Sequence, residues 1–286
     1  MADQWDEVRV RRWLNLAEGL DRQLAPVTDA LFAAASLQPG ERVLDVGCGH
    51  GPTTRRAASE VGADGSVTGV DVAEPMLGAA STIEPPAGSA PIEWLHADVG
   101  DWDPAGAERT GHEAVISRFG VMFFTDPVRA FSNLAAATAV GGRLAIATWA
   151  PRDRSPLFEV PLAVTVPILE ARGVDFAVPP LDEGAFSLGT PERMAEVLGA
   201  AGWLDVRTVE HREDLAVYGG VGPAEAARAG LDFGPTRVVM TDQPEELRAE
   251  VATAIAHTYE QHLDGAGHVR LAGTFLVATA TVPAPN

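Results

Sequence analysis

Three acidic residues, Asp45, Asp71 and Asp98, close three short apolar runs, and a glycine-rich turn follows the first of them. That turn reads Val43-Leu44-Asp45-Val46-Gly47-Cys48-Gly49-His50-Gly51. Glycines directly after a strand let a ligand approach the backbone closely. A dinucleotide fingerprint asks for glycines at 47, 49 and 52, but position 52 is Pro, which disfavours a pyrophosphate. Asp45, just before the turn, suits an ammonium group better than a phosphate. Asp71 ends Val67-Thr68-Gly69-Val70-Asp71; its carboxylate can accept two hydrogen bonds from ribose hydroxyls and repels a 2′-phosphate. Asp98, in His96-Ala97-Asp98-Val99, can accept from an adenine amine, with Val99 and Met76 packing the ring. In this order the three strand ends predict a nucleoside site.

Other chemistry-bearing residues are sparse. Arg118 directly follows an apolar run, where its fork can hold a carboxylate, polarise a carbonyl or pair with an acidic neighbour. Phe119, Met122, Phe123 and Phe124 supply an apolar wall or core packing. His262 and Tyr259 share the inward face of a late helix with Ile255, whereas His257 points away, so His262 and Tyr259 are the candidates for substrate contact or proton removal. His50 lies in the glycine turn, open to a ligand contact or a capping role, and Cys48 reads as a small space-filler.

Composition narrows the classes. The 286 residues carry 40 acidic against 21 basic side chains, for a net charge of −19, and all the basic ones are arginine. Without lysine there is no internal Schiff base, pyridoxal phosphate anchor or P-loop lysine, although a GC-rich coding bias explains the same absence. The acidity disfavours nucleic acid as a partner. One cysteine and no histidine pair at helix spacing predict no disulfide scaffold and no metal. Asp3, Asp6 and Glu7 do not start a signal peptide, and the apolar run near Val160 to Leu169 is too short to span a membrane. A cytoplasmic protein is the expectation, with self-association into a homo-oligomer left open.

The elements that must position these groups alternate. Trp5, Trp13, Leu16 and Leu20 predict a helix broken by Pro26, and Leu31, Phe32 and Ala35 a second, within residues 1–38. Residues 39–150 then predict strands over Arg42 to Val46, Ser66 to Val72, Ile92 to Ala97, Ala114 to Ser117 and Arg143 to Trp149, with helices over Pro75 to Ser81 and Pro127 to Thr138. A proline-rich insertion follows over 151–189. The core resumes over 190–213 with a helix capped by Thr190-Pro191 and a strand over Asp205 to Glu210. Helix returns over 214–268, and 269–286 hold a final strand, Leu271 to Thr281, and a tail. The expected fold is α/β: a doubly wound, Rossmann-like, mostly parallel seven-stranded sheet with helical lid insertions over its C-terminal edge.

Val43 to Gly51, Gly69-Val70-Asp71-Val72 with Met76-Leu77, Ala97-Asp98 and Gly141-Gly142-Arg143-Leu144 resemble, in order and spacing, the motifs of class I S-adenosylmethionine-dependent methyltransferases. Ser117 to Phe124 with Asp126-Pro127 is similar to a narrower bacterial subset, the quinone-biosynthesis type. The resemblance covers about residues 39 to 150. It implies S-adenosylmethionine as donor and S-adenosylhomocysteine as product. Gly47 and Gly49, with Cys48 between them, would contact the methionine portion, Asp71 and the adjoining Val72 the ribose region, and Met76, Asp98 and Val99 the adenine. Ser117 would lie beside the methyl-bearing sulfur. His50 departs from the threonine or serine common in the family. The expected acceptor is a small, largely apolar molecule, methylated on oxygen or carbon; Leu157, Phe158, Val160, Leu162, Val164, Val166 and Ile168 motivate that reading. A non-methylating cyclisation or rearrangement in the same pocket, and a nicotinamide oxidoreductase, are the alternatives.

Overall fold

The computed structural model describes residues 7–102 and 111–283. Asp3, Trp5, Asp6 and the last three residues of the tail lie outside them. Seven strands, β1 (Arg42–Val46), β2 (Ser66–Asp71), β3 (Ile92–His96), β4 (His112–Arg118), β5 (Thr138–Trp149), β6 (Leu204–Ala216) and β7 (Arg270–Thr281), form one sheet in the order β3-β2-β1-β4-β5-β7-β6. β1 to β5 pair in parallel, while β7 runs antiparallel between β5 and β6. The central strands are buried on both faces, which is why β1 and β4 read as near-continuous apolar runs rather than alternating ones.

Successive side chains of a strand point to opposite faces, so each run feeds two cores. Val43, Val67 and Ile116 pack under α2 (Ala25–Ala35) and α3 (Pro52–Val61). Leu44, Val115 and Ile146 pack under α5 (Pro127–Ala137) and α7 (Pro191–Ala200), where Trp203 Nε1 donates to the Phe131 carbonyl at 2.9 Å. Asp126 and Thr190 cap these last two helices, accepting from the Arg129 and Arg193 N–H groups ahead of a first-turn proline.

A third cluster joins α1 (Glu7–Gln23), α6 (Pro156–Ala171), α8 (Pro223–Gly230), α9 (Gly234–Val239) and α10 (Glu245–Tyr259). Here the structure departs from the sequence expectation. The late strand does not stop at Glu210 but continues to Ala216, because the antiparallel register with β7 extends to Ala216↔Arg270; helix resumes only at Pro223. The proline-rich stretch holds one continuous helix, α6, despite Pro161 and Pro167 inside it. Two missing backbone donors are tolerated there because Leu162, Thr165 and Leu169 are buried against the neighbouring elements. Among the described residues no helix is long and apolar enough to cross a membrane.

α4 (Glu74–Ser81) covers β3 beside the glycine turn. The third glycine of the turn, Gly51, has a physical reason unrelated to phosphate. It starts α3 in a left-handed conformation, φ 82°, and a Cβ there would stand 2.4 Å from the Trp94 ring. Gly51→Ala combines left-handed strain with overpacking and should cost about 2–4 kcal/mol, read as a lower urea midpoint at unchanged slope.

Candidate active site

The strand order reverses between β1 and β4, and ligands of open α/β sheets bind outside the carboxyl ends at such a point. The turns leaving these two strands touch backbone to backbone. A Cβ on Gly47, whose φ is 65°, would lie 2.6 Å from Gly120 Cα; one on Gly120 would lie 2.7 Å from Gly47 Cα. The Gly47 N–H donates to the Val70 carbonyl at 2.8 Å, tying the turn to β2. Ser117 Oγ donates to the Val46 carbonyl at 2.7 Å and accepts from the Gly120 N–H at 3.3 Å. Ser117 is therefore a buried strut between the two turns and does not line the cavity they border.

Asp45 also lies beneath the turn. Its Oδ2 accepts from the Thr53 and Thr54 hydroxyls at 2.7 Å each, while Oδ1 is buried without a partner. Burial outweighs the two donors and pushes this carboxyl up to about 6. An ammonium group in the cavity does not reach a side chain so placed, so the carboxylate braces the start of α3 instead. Asp71 does face the cavity. Its Oδ2 accepts from the Gly49 N–H and its Oδ1 from the Ala73 N–H, both at 2.8 Å. Burial raises its pKa against the pull of these backbone donors. Each oxygen keeps a further lone pair for a hydroxyl.

Asp21 of α1 sits between a guanidinium and an imidazole. Its Oδ1 accepts from Arg118 Nη2 at 2.7 Å and its Oδ2 lies 2.8 Å from His50 Nε2; Arg118 Nη1 donates to Thr28 Oγ1 at 2.9 Å. Burial pushes the Asp21 carboxyl up, yet His50 and Arg118 together hold it below its ordinary range. Arg118 and His50 both line the cavity, so the N-terminal helix is pinned to the glycine turn and to the end of β4 by one carboxylate.

The cavity measures about 860 Å³. Small-molecule sites occupy about 300–1,000 Å³, so two small ligands fit side by side. Gly47, Cys48, Gly49, Asp71, Val72, Met76, Val99, Arg118 and Tyr259 all line it. Four candidates do not. Asp45 and Ser117 lie beneath it; Asp98 turns onto its own loop, its Oδ1 accepting from the Gly100 N–H at 2.8 Å. His262 is the fourth: α10 ends at Tyr259 and a 3-10 turn follows, so the helical spacing that aligned the two residues stops short.

One wall of the cavity is aromatic. Phe119 stacks on Trp149 at 4.2 Å between centroids, and Trp149, Phe158 and Phe186 continue in edge-on contacts at 5.0 and 5.2 Å. The α6 aliphatics largely look elsewhere. Val160, Val164, Val166 and Ile168 pack into the helical cluster, leaving Leu157, Phe158 and Pro161 to the cavity. Sequence reasoning missed Asp21, Trp149, Phe186 and Tyr218. Asp21 stands 29 residues from His50 and 97 from Arg118, and no local spacing links them. Trp149 could have been found, since it ends a strand at the binding edge.

A family model described as a methyltransferase domain matches residues 43–142. The chain is 28% identical to nocamycin O-methyltransferase of Saccharothrix syringae over 247 residues, 84% of this chain and 85% of that one. It is 30% identical to an O-methyltransferase of Pyrenophora dematioidea over 209 residues, 69% of this chain and 67% of the relative. The solved cyclase SpnF superimposes with a TM-score of 0.51 at 18% identity, over 91% of this chain and 81% of that one, a likeness of fold alone. The chain belongs to the class I S-adenosylmethionine-dependent methyltransferases. Of the activities the sequence leaves open, methyl transfer is the one these relatives are named for.

Asp45 gives the site a measurable signature. A carboxyl whose folded pKa lies above its unfolded value favours folding while protonated; that contribution is complete below the unfolded pKa and is lost as pH rises through about 6. Asn keeps an oxygen for both threonines and never ionises. Asp45→Asn should therefore be more stable than the parent near pH 7.5, by about 2–3 kcal/mol, with the gap closing below about pH 4. Urea denaturation across that range reads it.

Proposed function

We propose that this protein transfers a methyl group from S-adenosylmethionine to an oxygen of a small, largely apolar, aromatic acceptor, in the biosynthesis of a natural product within the cytoplasm. The observation that carries the reading is the aromatic wall of Phe119, Trp149, Phe158 and Phe186 lining the same cavity as the glycine turn. The O-methyltransferase names of two relatives support oxygen as the acceptor atom. A net charge of −19 disfavours a nucleic-acid substrate.

The residues present fit the donor. Gly49 leaves an open cradle, with nothing within 4 Å of an added Cβ. Gly47, Cys48 and Gly49 would take the methionine portion, Asp71 with Val72 the ribose, and Met76 and Val99 the two sides of the adenine. Asp98, at the margin, would receive the adenine amine on its second carboxylate oxygen. Bound there, the sulfonium supplies an electrophilic methyl group for direct displacement, which calls for alignment and exclusion of water. The chain provides both. The Gly47–Gly120 contact and the Ser117 strut fix the glycine turn against the end of β4, and Phe119 carries that fixed geometry into the acceptor wall. Arg118, engaged by Asp21 and Thr28, acts as a positioning residue that holds Asp21 and His50 at the cavity rather than as an acceptor ligand.

Isothermal titration with S-adenosylhomocysteine should show one site per chain. Asp71→Asn removes the charge that a ribose would meet and should weaken that binding by about tenfold or more, the equivalent of about 1.5–3 kcal/mol. No binding by the parent protein would sink the proposal.

A further inference from the structure

The chain has two tyrosines, Tyr218 and Tyr259, and both line the cavity. They reach it from different elements: Tyr259 closes α10 and Tyr218 follows β6. Tyr218 sits in left-handed backbone, φ 49° and ψ 34°, a conformation that a non-glycine residue keeps only where its surroundings impose it. The imposing contacts are on hand. Its N–H donates to Gln23 Oε1 of α1 at 2.7 Å, and its ring packs on Phe233 with centroids 5.8 Å apart.

So held, the two hydroxyls converge over Gly230. Each lies 3.9 Å from the position a Cβ on Gly230 would take. No hydrogen bond to either hydroxyl is found among the described residues, although both side chains are largely buried, at 9% and 2% exposure, and both line the cavity. Buried hydroxyls are ordinarily paired, so two open donors converging on one space call for an oxygen from outside the chain. Burial holds both phenols protonated well above their ordinary range, so each donates and neither serves as a base near neutral pH. Two neutral phenols bring no positive charge to the spot, which argues for a neutral oxygen over a carboxylate.

Resting on the methyl-transfer reading above, we infer that Tyr218 and Tyr259 form a two-donor site for one carbonyl oxygen of the acceptor, which makes the acceptor class an aromatic hydroxyketone. A carbonyl has two lone pairs and can receive both O–H groups at once. The ring lies along Phe119, Trp149 and Phe158, and the hydroxyl to be methylated is a separate group on it. The tyrosine pair thus sets which acceptors enter and in which orientation, while the glycine turn holds the donor.

The test uses the full chain saturated with S-adenosylhomocysteine. The probes are two matched pairs: 3-hydroxyxanthone with 3-hydroxyxanthene, and 4-hydroxyfluorenone with 4-hydroxyfluorene. By calorimetry at least one ketone should bind about tenfold or more tighter than its methylene counterpart. Tyr218→Phe and Tyr259→Phe should each remove most of that preference, and Gly230→Ala, which puts a methyl between the intact hydroxyls, should do the same. Affinity for S-adenosylhomocysteine should change by less than about twofold in all three. Because the hydroxyls hold nothing inside the protein, the Phe variants should melt no lower than the parent without ligand; a clear drop would mark a structural role and overturn the assignment. Binding of S-adenosylhomocysteine without any ketone preference would also overturn it. Failure to bind S-adenosylhomocysteine at all would instead bring down the underlying methyl-transfer reading.

Discussion

Two loops meet without side chains between them, and the rest of the site hangs on that contact. Gly47 after β1 and Gly120 after β4 approach so closely that a Cβ on either would overlap the other's backbone. The approach lets Ser117 reach the Val46 carbonyl and leaves the turn's backbone bare toward the cavity. It also fixes the residue just before Gly120. Phe119 is held in left-handed backbone, φ 63°, and its ring lies flat on Trp149. One backbone contact at the reversal of the strand order thus couples a donor cradle to an acceptor wall. Neither can shift without the other.

The N-terminal helix is bound into the same unit by electrostatics. Asp21 faces His50 in the glycine turn and Arg118 at the end of β4, two positions brought together only by the sheet. Arg118 is largely buried, with 9% of its side chain exposed, and a buried guanidinium needs its countercharge. The helix that supplies Asp21 also supplies Gln23, which fixes the backbone of Tyr218. An element outside the strand–helix alternation therefore organises both sides of the cavity, and the acidity of the chain has a specific use at this place.

The alternation of strands and helices from residue 39 to 150 was readable because parallel strands buried on both faces leave unbroken apolar runs, and the glycine turn follows from strand-end chemistry. Residues that the structure places outside the cavity lie there for local reasons. Asp45 precedes the turn, but the side chains of a strand alternate, and Thr53 and Thr54 take its carboxylate up from below. An ideal helix would align His262 with Tyr259, but α10 ends before it. The apolar residues of α6 suggest a substrate surface, but a helix packed on several sides buries most of them against other helices.

By itself the sequence determined the order of elements, the bare glycine turn and the acid at the end of β2, since each depends on residues within one turn or strand. The tertiary structure alone decided that Asp21 bridges His50 and Arg118, that four aromatic rings from four separate elements form one wall, and that the two tyrosine hydroxyls meet at Gly230. Those facts join residues up to 97 positions apart in the sequence. Local spacing carries no information about them, because chain closure over such distances is settled by packing of the whole core and by the pairing of buried charges.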